Sequence, residues 1–132
     1  FVVIRVYAHD YSIVVHCKVE DDLMFPGLRE RFTTNEAALQ LLNEVQAGHD
    51  AIEAQAAQTG SLVNDLAEQK EGVTTEAVVQ AVNDYAADYL RHIDHEEQII
   101  PFVQQSIKED QQLAIGKKIG EFMREQPTKY IV

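Results

Sequence analysis

Tyr89-Leu90-Arg91-His92-Ile93-Asp94-His95-Glu96-Glu97-Gln98-Ile99-Ile100-Pro101 sets a histidine and a carboxylate four residues apart in an otherwise apolar, helix-compatible context. A helix advances about 100° per residue, so positions i and i+4 lie one turn apart on the same face. The pairing recurs upstream as His16–Glu20 and His49–Glu53. Three helices that each offer an imidazole and a carboxylate to a shared interior could hold a metal, and the rest of the chain decides whether they do.

Working outward from that stretch, Val78, Val82, Tyr85, Tyr89, His92, Glu96, Ile99 and Val103 follow one another at spacings of three and four. That periodicity predicts a helix over 75–106, capped by Thr74 or Thr75 and bent or broken near residue 100 by Pro101. Before it, Ala38, Leu42, Val45, His49, Ile52, Ala56, Thr59, Val63 and Leu66 form the stripe of a helix over 35–70, capped by Thr34 or Asn35. Gly60 inside it marks a possible kink. Val2, Val6, His9, Ile13, His16, Glu20 and Leu23 give a first helix over 2–24, which Phe25-Pro26-Gly27 is expected to end. A shorter helix over 109–124 carries Leu113, Phe122 and Met123, and the tail from Gln126 to Val132 reads as irregular. The fold expected is all-α: a single domain over 1–132, an antiparallel four-helix bundle with short loops.

Composition sets the outer limits. A chain of 132 residues with 45% apolar side chains can bury a real core. No run of about 18 apolar residues offers a membrane span, and Phe1-Val2-Val3-Ile4 is too short for a signal sequence before Arg5 breaks it. A net charge of −11 without a basic stripe disfavours nucleic acid and anionic membrane as partners. The lone Cys17 excludes an internal disulfide and fits a reducing, cytoplasmic setting. It points about 100° away from His16 and reads as packing or surface. The chain opens inside an apolar, periodic segment with no cap, as a fragment would.

Chemistry concentrates on the stripes. His16, Glu20, His49, His92 and Glu96 all fall on the apolar faces of their helices, where a carboxylate is costly unless paired or bound to a cation. Glu96 lies about 40° from His92 on the helical wheel, whereas Glu97 lies about 140° away and reads as solvated. His95 reads as a rim residue. Glu53 is also about 40° from His49, but Ile52 holds the centre of that stripe, so Glu53 is the weakest of the three carboxylates. His9 is about 10.5 Å along the axis from His16, too far to share its metal. Tyr85 and Tyr89 read as core, within hydrogen-bonding reach of a ligand or bound oxygen species. Imidazole and carboxylate without thiolate argue for iron or manganese over structural zinc, and two carboxylates among several imidazoles suit a dinuclear site. Neither Glu-x-x-His nor His-Glu-x-x-His occurs, so neither a ferritin-like centre nor a zinc peptidase is supported.

His16-x-x-x-Glu20 with Leu23-Met24-Phe25-Pro26, Gly48-His49-Asp50-x-Ile52, and His92-Ile93-x-x-Glu96-Glu97-x-Ile99-Ile100-Pro101 together resemble the hemerythrin-like family, the HHE cation-binding domain, over roughly residues 1–106. The group includes di-iron proteins that repair iron centres. The resemblance implies a four-helix bundle around two non-haem irons, another divalent cation being an alternative. It implies His16 and His92 as terminal ligands, Glu20 and Glu96 as bridges, and His49 as the ligand from the next helix. Glu53 stands where hemerythrins proper have a second histidine. Gly48 stands where the family often has Glu, Pro101 is one residue nearer its Glu than usual, and the family's first helix has no counterpart ahead of Phe1.

Three functions compete on this reading. The first is a metal-binding module that binds or senses iron, O2 or NO, with a small diatomic ligand or iron as its partner. The second is a di-iron enzyme acting on peroxide or nitric oxide, or in iron-centre repair. The third is a metal-free helical interaction domain, assembling as a homo-oligomer through an exposed face.

Overall fold

The computed structural model describes residues 15–125. The expected stripe from Val2 to Ile13, His9 included, and the tail 126–132 lie outside the described residues.

The chain enters as a helix over residues 15–24, much of it in the wider π winding, with a continuous π-helical run at Glu20–Met24. It passes without a break into α1 (Phe25–Arg31). There follow α2 (Glu36–Ala67), α3 (Thr75–Glu97), α4 (Ile100–Ser106) and α5 (Glu109–Glu125). Among the described residues there is no strand, and the protein is an all-α helical bundle.

Phe25-Pro26-Gly27 does not end the first helix, contrary to expectation. The amide of Phe25 reaches five residues back to the Glu20 carbonyl, which closes the π run. Pro26 then sits in the first turn of α1. The winding has a positional effect. In an α-helix Glu20 and Phe25 would point about 140° apart. In a π-helix five residues make little more than one turn, so both face the same neighbour, α2.

Asn35 caps α2, its Oδ1 accepting from the Ala38 amide at 3.1 Å. The buried face of α2 is Ala38, Leu42, Val45, His49, Ile52, Ala56, Thr59 and Val63, and the helix runs through Gly60 uninterrupted. Gln69 (φ 56°) turns the chain out of it, and Gly72 (φ 84°) completes the reversal. Thr74 caps α3 through its Oγ1, 3.2 Å from the Ala77 amide. The helix expected over 75–106 is two helices. α3 stops at Glu97, and α4 starts at Ile100 with Pro101 in its first turn, the position at which proline costs a helix least.

α2 and α3 pack as an antiparallel hairpin. His49 faces His92, with ring centroids 4.7 Å apart, and six residues further along α2 Gln55 donates to Asp88 at 2.8 Å. Arg29 of α1 forks onto α2, donating to Asn43 at 2.6 Å and to Gln46 at 2.5 Å. α5 lies against the π-helical run.

Two apolar clusters form, one on either side of His49. Phe25, Leu28, Phe32, Ala38, Leu42, Val45, Ile99 and Ile107 make the larger. Ile52, Ala56, Tyr85 and Tyr89 make the smaller, with Ile93 packed against it. Each large side chain fully buried here contributes about 1.5–3 kcal/mol. Between the two clusters lies a layer of polar side chains, and the fold exists to surround it.

Candidate metal centre

The π-helical run brings Glu20, α2 brings His49, and α3 brings His92 and Glu96. One ligand atom from each of these four lies within 4.8 Å of the other three, and among the described residues no other group of three or more such side chains does this. His49 Nε2 is 3.1 Å from Glu20 Oε2 and 3.4 Å from Glu96 Oε1. His92 Nε2 is in contact with Glu96 Oε1. His16 adjoins the group, its Nε2 3.7 Å from Glu20 Oε2 and 3.6 Å from Glu96 Oε1.

Five of the six expected ligands are thus brought together, from three stretches of helix. Glu53 is not. It is exposed, on the wall of an open cleft of about 310 Å³ shared with Cys17, Lys18, Asp21, Asp22, His49 and Asp50. The geometry leaves it outside the cluster because Ile52, one residue earlier, takes the buried position. His95 is half-exposed and pairs with Glu44 at 3.4 Å, and Glu97 is exposed.

The packing around the cluster orients its rings. Phe25 stacks nearly parallel on His49, 7° between planes and 5.6 Å between centroids. Tyr89 meets His16 edge-on at 5.9 Å, and Tyr85 stacks on Tyr89 at 6.0 Å. Both tyrosines are buried in the smaller apolar cluster, as their place on the stripe predicts. Gly48 admits His92: a Cβ on residue 48 would lie 2.7 Å from His92 Nδ1.

One contact escaped the sequence reading. His49 Nδ1 lies 2.8 Å from Asp21 Oδ1, so two successive carboxylates grip the two nitrogens of one imidazole. On an α-helical wheel Asp21 falls about 100° from Glu20, off the apolar stripe. The π winding narrows that angle, and nothing in the residue string announces it.

Electrostatics in the cluster are strong. Burial by itself disfavours the His49 imidazolium, but Glu20, Glu96 and Asp21 outweigh it and push its pKa up to about 10. His16 moves up likewise, burial being outweighed by Glu96 and Glu20. Burial would raise the Glu96 carboxyl, yet His16, His49 and His92 hold it well below the usual carboxylate range. Burial and the surrounding carboxylates Glu20 and Asp21 push the Cys17 thiol up to about 12, so it stays protonated and unreactive at neutral pH.

The donors fit a cation. His16 Nε2, Glu20 Oε2 and His92 Nε2 are buried, approach their neighbours, and form no well-directed hydrogen bond. An orphaned buried polar atom costs about 1–3 kcal/mol, and bound cations in this layer would satisfy them. Imidazole nitrogen and carboxylate oxygen without thiolate form a donor set suited to divalent metal cations.

The family model of the hemerythrin HHE cation-binding domain matches residues 7–101. The chain belongs to that family, and cation binding is the role that membership and the Glu20–His49–His92–Glu96 cluster together carry. No curated protein and no solved structure matches the chain. Among the described residues, no helix is long and apolar enough to cross a membrane.

Proposed function

We propose that the protein holds two non-haem irons at His16, Glu20, His49, His92 and Glu96 and uses them to bind or sense a small diatomic molecule such as O2 or NO, or iron itself. The observation that carries this is the presence of three buried, hydrogen-bond-orphaned donor atoms, from His16, Glu20 and His92, in and beside the Glu20–His49–His92–Glu96 group between two apolar clusters. Bound iron would supply open coordination positions and reversible one-electron chemistry. The chain's own part is to present the donors and to keep bulk water away. Val45 and Ile52 bracket His49, and Tyr89 and Ile99 bracket the His92–Glu96 pair.

On the other side a cleft of about 400 Å³ runs between Met24, Leu28, Ile100 and Val103 to the Glu20 and Glu96 carboxylates. Its apolar walls suit a small uncharged ligand better than an ionic substrate. Anaerobic reconstitution with Fe(II), followed by metal analysis, tests the reading: two irons per chain are expected, and fewer than one would sink it. An absorption band that appears with O2 and reverses on its removal would identify a carrier or sensor. Turnover of peroxide or NO would instead assign the redox enzyme, a reading that the stacked Tyr85–Tyr89 pair beside His16 favours.

A further inference from the structure

Asp21 touches the cluster from outside. Its Oδ1 meets His49 Nδ1 at 2.8 Å, on the side of the ring opposite the Nε2 that lies between Glu20 and Glu96. A neutral imidazole carries its hydrogen on one nitrogen and a lone pair on the other. An ionised carboxylate only accepts, so it draws the hydrogen to Nδ1 and turns the lone pair of Nε2 toward the cluster. Phe25, stacked on the ring face, resists a rotation that would undo this. Asp21 cannot itself ligate at the same point, because the imidazole stands between.

We infer that Asp21 is the positioning residue of the centre: it fixes the tautomer and orientation of His49 and so strengthens the hold of the cluster on a divalent cation. This rests on the metal-binding reading above. Asp21 follows Glu20 in the same π-helical run, and both carboxylates reach His49 of α2. Asp22, next in line, is exposed and pairs with Lys18 instead. That makes it a matched control for the loss of one negative charge.

The test titrates the wild type, Asp21→Asn, Asp21→Ala and Asp22→Asn with Co(II), following the visible absorption of the bound ion. Histidine-labelled, Zn(II)-loaded protein, read by long-range nitrogen–proton NMR, shows which nitrogen of His49 is protonated. The expected result is affinity lower by about tenfold in Asp21→Asn and by up to about a hundredfold in Asp21→Ala. Asp22→Asn should stay close to wild type. The wild-type spectrum should show the hydrogen on Nδ1, and Asp21→Ala a mixture of tautomers.

Wild-type protein that takes up no Co(II) would overturn the metal-binding reading and this inference with it. Wild-type binding that the Asp21 variants match within a factor of two would overturn this inference alone, even if those variants melt earlier. Should Asp21→Ala not fold, Asp21→Asn decides, since it keeps one acceptor oxygen and the side-chain volume while losing the charge and exchanging the other oxygen for an NH2 donor.

Discussion

His92 occupies the space that a side chain on residue 48 would fill: a Cβ there would lie 2.7 Å from its Nδ1 and 3.1 Å from its Cε1. Gly48 sits mid-helix with an ordinary helical backbone, where glycine costs about 1 kcal/mol relative to alanine. Its presence is therefore a matter of room for the imidazole. Gly48→Ala should drive the ring off the cluster, lower metal affinity at least tenfold and leave helical content unchanged. Metal titration beside far-ultraviolet circular dichroism checks both halves.

The two kinds of glutamate should separate cleanly. Glu53→Gln is expected to leave metal stoichiometry and affinity as they are, because its carboxylate is exposed and outside the cluster. Glu96→Gln should abolish tight binding, since Glu96 Oε1 faces His16, His49 and His92 together. Metal content after reconstitution and desalting of both variants decides it.

Metal-free protein should be most stable in mildly acidic solution. The Glu96 pKa is depressed in the fold, so its contribution is present above its ordinary value of 4.5 and is lost as pH falls below that. His49 is raised from 6.5 to about 10, so its contribution is full below 6.5 and drains away as pH climbs toward 10. Unfolding free energies from urea titrations should therefore peak between these limits and fall on both sides, by a few kcal/mol on the alkaline arm. His49→Gln should flatten that arm, and an unchanged alkaline loss would contradict the assignment.

Those protons also oppose the metal. At neutral pH His49 is protonated in the metal-free cluster, and a cation must displace that proton to reach Nε2. Affinity should rise about tenfold per pH unit through the neutral range, with proton release visible as a dependence of binding heat on the ionisation enthalpy of the buffer. Affinity independent of pH would show that the cation binds elsewhere.

Away from the site, Gln69 holds φ 56° where the chain leaves α2, a conformation that costs a side-chain-bearing residue about 1–2 kcal/mol. Its amide already bonds the Leu66 carbonyl at 3.0 Å, as a helix-ending turn requires. Gln69→Gly should stabilise the protein by about 0.5–1 kcal/mol, measured by chemical denaturation, with no change in metal binding.

Most of the fold and three of the cluster's residues were legible because α2 and α3 are regular α-helices, for which a fixed angle per residue places side chains correctly. His49, His92 and Glu96 fell where the stripes put them, and Ile52 displaced Glu53 as its place at the stripe centre implied. Pro26 looked like a terminus because that judgement assumed α geometry in a segment wound as a π-helix, and Asp21 drew no reading at all. Amino-acid identity says little about that choice. The contacts that Glu20, Asp21 and Phe25 make with His49 of α2 are tertiary information.

The π-helical run also changes how this chain should be compared with its relatives by length. A π turn accommodates one residue more than an α turn over the same closure, so it is the structural equivalent of a single-residue insertion. A relative one residue shorter between Glu20 and Phe25 could present the same ligands from an unbroken α-helix. An alignment that forbids a gap there would pair Glu20 or Phe25 with the wrong partner.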